Sequence, residues 1–285
     1  MKPQQTGIIK IHIAVFLFGL SGLFGKLLVL PAMSIVLGRV FFSSILLLLI
    51  LLFLKKDFKL KHQRDYFYLF VMGVVLAAHW STFFKSIQVS TVAIGLLTFS
   101  TFPVFVTFME PYFFKEKIKI TDIVIAIITF FGVFLVIPKF ELGNNLTQGV
   151  LWGIMSGFTY AILSLLNRKY VKEYSGLVIA FYEQLVATIV LMPFVLIQKP
   201  SLQTNDILLL ILLGTVFTGI SHSLFISGLQ YIKTQTAGIL SSLEPVYGIL
   251  FAAFLIQEIP SFKEILGGLI ILSMVLYSSF CRKQT

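Results

Sequence analysis

The sequence predicts an all-α integral membrane protein: ten transmembrane helices arranged as two inverted five-helix repeats. Three observations carry that expectation. The 285 residues are 58% hydrophobic and only 12% charged, whereas soluble domains average about 45–50% apolar and about 25% charged. Ten apolar runs occupy nearly the whole chain, each near the roughly 20 residues an α-helix needs to cross about 30 Å of hydrocarbon. The runs also fall into two similar groups of five, and an odd number of crossings per group turns the second group upside down. Transmembrane strands do not fit, because the runs are continuous rather than alternating.

Each run carries its own marks. The first, 8–29, holds Gly19, Gly22 and Gly25 and then Lys26. No convincing small-residue cleavage site follows it, so it reads as a retained span and not as a removed signal peptide. The second, 32–54, has Arg39 eight residues in, and the third, 66–86, has His79 and Trp80. The fourth, 89–114, places Leu96, Ser100, Pro103, Thr107 and Glu110 on one face. The fifth, 119–138, and the tenth, 262–281, hold few polar residues and are expected as peripheral supports.

Lys139–Thr147, with Gly143, Asn144 and Asn145, is the expected joint between repeats 1–142 and 143–285. The sixth run, 148–168, carries Gly149, Gly153 and Gly157, a spacing that suits close helix contacts. The seventh, 175–197, has Tyr182, Glu183 and Gln184 in a row. Three such side chains cannot all face lipid comfortably, and Glu183 is expected to point inward. The eighth, 206–230, contains His222 between Ser221 and Ser223. In the ninth, 234–257, Ala237, Ser241, Glu244 and Gly248 form a narrow small or polar face.

Charge sets the expected orientation. With the N-terminus inside, only Lys85, Lys139, Lys199 and Lys263 of the 22 Lys and Arg residues fall in outer loops. Lys26 and Arg39 lie within spans, and the remainder is cytoplasmic. That bias is a strong positive-inside signal. It places both termini in the cytoplasm and explains the formal charge of +10 without nucleic acid. The single cysteine, Cys281, leaves no intrachain disulfide. No Cys/His cluster has metal-ligand spacing, so neither a metal nor a cofactor is expected.

A shift of 142 residues superimposes Gln88 on Gln230, Ser100 on Ser242, Pro103 on Pro245, Val104 on Val246 and Glu116 on Glu258. A mid-span proline followed thirteen residues later by a glutamate at the membrane edge thus occurs twice. On these residues, with the glycine-rich first span ending at Lys26 and Arg39 early in the second, the chain resembles the EamA-type members of the drug/metabolite transporter superfamily. The resemblance covers essentially the whole chain, including its five-plus-five layout. It implies a multi-pass carrier, often an exporter, of small metabolites such as amino acids, and it implies no particular substrate.

Charged side chains at membrane depth cost roughly 2.5–3.5 kcal/mol each on insertion scales, so those present need a reason. Glu244, just before Pro245, reads as a cavity acid for a cationic group or a proton, or as a protonated helix-to-helix bond. Pro103 and Pro245 are expected to open the helix turns before them. Lys26 and Arg39 offer cations for a substrate carboxylate, although lysine also snorkels and Arg39 also suits a carbonyl or Glu183. His79 and His222 fit proton coupling or a plain cross-helix bond. Trp80 fits stacking on a planar substrate or an interface belt. Ser241 shares the face of Glu244, and Glu110 is expected to reach the headgroups. Glu116 and Glu258 are expected as edge residues.

The leading function is secondary transport by alternating access through a central cavity walled by helices near spans 1–4 and 6–9. The expected partners are a small-molecule substrate and the lipid bilayer, with a proton as candidate coupling ion and the inner membrane as location. Loops are too short for a nucleotide-binding domain, and no glycine-rich phosphate loop with its lysine is present. A membrane-embedded enzyme would need catalytic groups converging at one depth, and no such spacing is recognisable. A structural membrane subunit would confine its polar residues to one helix interface.

Overall fold

The computed structural model describes residues 3–114, 118, 120–136, 141, 143–232, 237 and 240–281, and every regular element among them is helical. In the first half, α1 (Pro3–Ser21) and the short α2 (Phe24–Leu27) form one unit, followed by α3 (Ala32–Phe53) and α4 (Gln63–Val89). Then come α5 (Val92–Phe99), α6 (Phe102–Phe114) and α7 (Ile120–Val136). The second half contains α8 (Asn145–Tyr170), α9 (Gly176–Gln198), α10 (Thr204–Gly214) and α11 (Ser221–Gly228), the last two joined by a π-helical turn, Thr215–Ile220. It ends with α12 (Glu244–Leu255) and α13 (Phe262–Cys281). Seven units among the described residues are long and apolar enough to cross a membrane, and α7 and α12 are shorter apolar helices.

Side-chain caps set several helix starts. Thr91 Oγ1 accepts from Ile94 N–H at 3.0 Å at the head of α5, and Asn144 Oδ1 accepts from Leu146 N–H at 2.8 Å at the head of α8. Each satisfies a first-turn donor that the helix itself leaves free. The expected interruptions lie at the two prolines. α5 stops before a turn at Ser100–Thr101, and α6 resumes with Pro103 in its first turn. A turn at Ser242–Leu243 likewise precedes α12, which has Pro245 at its start. A proline in the first helical turn lacks only an N–H that would be unpartnered there.

Two interruptions depart from the continuous spans expected from sequence. The first unit turns at Gly22–Leu23 before α2. The eighth passes through the π-helical turn, where the backbone comes close to α3. A Cβ on Gly214 would lie 2.8 Å from the Arg39 carbonyl, and one on Gly219 would lie 2.9 Å from Ser43 Oγ. The Thr218 hydroxyl bonds back to the Leu213 carbonyl at 2.7 Å, five residues earlier.

Helix neighbours follow one rule of exchange between the halves. α1 packs on α11, and α4 packs on α8; α3 packs on α9, and α7 on α13. α1 also meets α12, as α8 meets α6. α7 turns Ile120, Ile127, Phe131 and Phe134 outward. In water such a surface would be an association patch; in a bilayer it faces its natural solvent.

The approach of α1 to α12 is set by Gly19, whose added Cβ would meet the Glu244 carbonyl at 2.8 Å and Tyr247 Cβ at 2.9 Å. Gly19→Val is expected to lower the thermal stability of the detergent-purified protein by about 1–3 kcal/mol through overpacking. Gly143→Ala, with no atom within 4 Å of the new Cβ, is expected to stay within about 0.5 kcal/mol. Thermal melts of the two variants check both values.

Candidate functional site

Arg39 from α3, His79 and Trp80 from α4, His222 from α11 and Glu244 from α12 line one cavity. Phe18 and Ser21 of α1, Phe83 of α4, Phe99 of α5 and Tyr160 of α8 complete its wall. Both halves therefore contribute. About 30 Å³ is open to the centres of water molecules, and one water needs about 10–15 Å³ on that measure. The space has room for water, and a metabolite enters only if helices part.

Arg39 is the most demanding group, since its side chain is large and only 1% exposed. Its guanidinium carbon lies 3.8 Å from the centre of the Trp80 ring, within the range of a cation–π contact. Its Nε donates to Thr218 Oγ1 at 3.0 Å, whereas Nη1 has no hydrogen-bond partner. Glu244 is the acid whose field reaches this cation. It opens α12, where the unpaired first-turn N–H groups and the positive helix end favour a carboxylate.

The two histidines are held differently. His79 Nδ1 lies 3.0 Å from the Ser156 carbonyl, which only accepts, so this nitrogen carries the proton and donates. His222 Nε2 pairs with Glu183 Oε2 at 2.7 Å. Glu183 points inward behind His222 and is fully buried, although it does not itself line the cavity. Trp80 is buried under Arg39 in the cavity wall.

Other expected site residues lie elsewhere. Lys26 Nζ donates to the Ser90 carbonyl at 2.5 Å and does not join Arg39. Ser241 Oγ donates to the Ala237 carbonyl, four residues earlier, at 2.9 Å. Pro103 and Pro245 serve the helix breaks. Glu110 is buried and pairs with Arg168 of α8 instead of extending to headgroups. Glu116 falls outside the described residues. Sequence reading did not single out Thr218, Ser156, Phe99 or Tyr160. For Tyr160 a signal exists: the face through Gly149, Gly153 and Gly157 reaches it one turn further on. Ser156 lies on the same face, seven residues after Gly149 and four before Tyr160, whereas Thr218 carries no such signal.

Two matches to one transporter family make this helical protein, with one small cavity walled by both halves, a membrane transporter by class. The chain belongs to the EamA-like transporter family, which it matches twice, over residues 5–137 and 147–280. The uncharacterized transporter YxxF of Bacillus subtilis is 26% identical over 273 residues, covering 93% of this chain and 87% of that protein. A Rickettsia conorii protein named as an S-adenosylmethionine uptake transporter is 24% identical over 246 residues, covering 86% and 82%. A crystal structure with 13% identity superimposes at a TM-score of 0.70 over 98% of both chains, which speaks for the fold alone.

Thr218→Val keeps the side-chain shape but removes the acceptor from a buried charged donor. It is expected to cost about 1.5–3 kcal/mol, read from thermal melts, with Thr218→Ser close to wild type.

At one end of the bundle, Glu258 accepts from Val92 N–H at 2.5 Å, and Thr91 Oγ1 donates to Glu264 at 2.8 Å. Burial holds the Glu258 carboxyl above the ordinary carboxylate range, against the pull of the Val92 N–H and Lys26. A carboxyl raised in the folded state favours folding below its unfolded pKa and loses that contribution as pH rises through its folded value. Glu258→Gln still accepts from Val92 but does not ionise. The decline in Tm as pH climbs out of the ordinary carboxylate range is therefore expected to flatten in this variant. An unchanged slope would contradict this.

Proposed function

We propose that this protein is a secondary transporter that moves a small zwitterionic metabolite, an amino acid or amino-acid derivative, across the cytoplasmic membrane by alternating access. The observation that carries this reading is one aromatic-walled cavity holding Arg39 from the first half and Glu244 from the second. The guanidinium, with Nη1 unpartnered, suits a substrate carboxylate, for which a planar fork of donors is the best match. Glu244 suits an ammonium group. Trp80, Phe99 and Tyr160 offer ring faces to the rest of the molecule. The S-adenosylmethionine named for the rickettsial relative is an amino-acid derivative and falls within this class.

The two family matches, each spanning five expected crossings, support halves of opposite orientation. The Lys/Arg bias supports cytoplasmic termini. Rocking of one half on the other would expose the cavity to each side in turn, with glycine contacts such as Gly19 on α12 as sliding surfaces. The driving force is a gradient of substrate or protons. The family resemblance favours export, the relative's name says uptake, and in a gradient-driven carrier the gradients set the direction.

Purified protein in liposomes, offered labelled amino acids and their derivatives, is expected to show saturable flux. Arg39→Gln should raise KM for carboxylate-bearing substrates by about tenfold or more, the equivalent of about 1.4 kcal/mol, and leave decarboxylated analogues less affected. Glu244→Gln should do the same for substrates with an ammonium group. No saturable flux across the panel under any gradient would sink the carrier reading.

A further inference from the structure

We propose that the Glu183–His222 pair is the proton-binding site of the transport cycle, and that it loads together with the substrate carboxylate. This rests on the carrier reading above and adds the coupling ion and its residence. His222 Nε2 and Glu183 Oε2 lie 2.7 Å apart with both side chains buried. The second Glu183 oxygen, Oε1, has no hydrogen-bond partner. A buried carboxylate with an empty acceptor is in a costly state, and a proton or a donor relieves it. Neighbouring Gln184 lacks partners at both amide atoms, so hydrogen bonding around the acid has freedom to rearrange.

Rings and one hydroxyl link the pair to the substrate-binding groups. Trp80 meets His222 edge-on with centroids 5.6 Å apart, and Arg39 lies over the same Trp80 ring. Thr218, which accepts from Arg39 Nε, sits one turn before His222. The titratable or charged groups around His222 are Arg39 from α3, His79 from α4, Tyr160 from α8, Glu183 from α9 and Glu244 from α12. His79 is occupied as a donor to Ser156, and Glu244 is the partner of the substrate ammonium.

Electrostatics gives the coupling. With the imidazole N–H donating to the carboxylate, the pair carries one negative charge. With Arg39 and Glu244 both ionised, as the substrate contacts proposed above require, those two cancel, and the site is negative by one whether empty or filled by a zwitterion. A proton added at His222 Nδ1 or Glu183 Oε1 makes one N–H or O–H bond, breaks none in the protein and brings the site to neutrality. The empty cavity has room for water, which screens the charge beside His222; a bound zwitterion displaces that water and raises the cost of leaving the charge unneutralised. Uncompensated charge in a low-dielectric interior is strongly disfavoured. Proton and substrate therefore strengthen each other's binding, by reciprocity of linked equilibria.

The test uses the full-length protein and a labelled zwitterion that it transports. Wild-type protein in detergent should take up about one proton on substrate addition, read with a pH-indicator dye. In liposomes a pH gradient should drive accumulation. Glu183→Gln, at a residue outside the cavity lining, should retain substrate exchange without a gradient and lose gradient-driven accumulation by at least about tenfold. Glu183→Asp should restore coupling with a displaced pH profile. Retained gradient dependence in Glu183→Gln, or wild-type flux with no proton uptake, would overturn this inference alone. Absence of wild-type flux would remove the carrier reading and this inference with it.

Discussion

A guanidinium buried in an apolar helix bundle must be stabilised by its surroundings, and the arrangement around Arg39 is how this molecule does it. The ring face of Trp80, the hydroxyl of Thr218 and the field of Glu244 converge on that cation. Trp80 belongs to the same half as Arg39, whereas Thr218 and Glu244 belong to the other. A group that costs several kcal/mol at membrane depth is thus tolerable only when the halves are together. The π-helical turn follows from the same requirement, since it carries Thr218 and brings Gly214 and Gly219 against α3 beside Arg39. Such turns recur at functional positions because they displace a side chain by one place without ending the helix.

The two helix breaks answer a related constraint. Backbone groups left open at membrane depth have no water to bond, so irregular backbone is tolerated only where protein covers it. Ser100, Thr101 and Ser242 are all buried. The Ser100 hydroxyl donates to the Leu96 carbonyl and the Thr101 hydroxyl to the Thr98 carbonyl, so both buried side chains find acceptors within the break. The second break has an added effect: it puts Glu244 at the head of a new helix, where the exposed N–H groups favour its charge. A proline and a turn thereby convert an expensive mid-helix acid into a first-turn acid.

Helix extents were largely legible in the amino-acid sequence. The runs read as 32–54, 175–197 and 262–281 are observed as Ala32–Phe53, Gly176–Gln198 and Phe262–Cys281. Hydrophobic length governs both the reading and the structure. The π-helical turn and the turn before α2 were not legible, because they depend on how closely other helices approach. At the cavity, Arg39, His79, Trp80, His222 and Glu244 stood out as polar or amphipathic groups where lipid would not accept them. Lys26 stood out for the same reason, yet its long stem carries the ammonium to the Ser90 carbonyl. Ser241 shares a face with Glu244 in the sequence pattern but turns its hydroxyl back to the Ala237 carbonyl. In a helix that is apolar all round, periodicity does not say which face meets protein. A residue as ordinary as Thr218 becomes visible only with its partner in place.

The size of the cavity and its charges belong to one argument. With room for only a few waters, opposite charges from opposite halves face each other instead of a ligand, and their attraction favours the closed arrangement. On the proposed reading, a zwitterion would replace that attraction with two separate ones, carboxylate to Arg39 and ammonium to Glu244, while forcing the walls apart. Binding strength would thereby be exchanged for helix separation, and only a ligand with both charges would make the exchange complete. A simple anion or cation would leave one buried charge without its partner, the state that a low-dielectric interior penalises most. Selectivity for the class of substrate and the motion that carries it would then have a single physical origin.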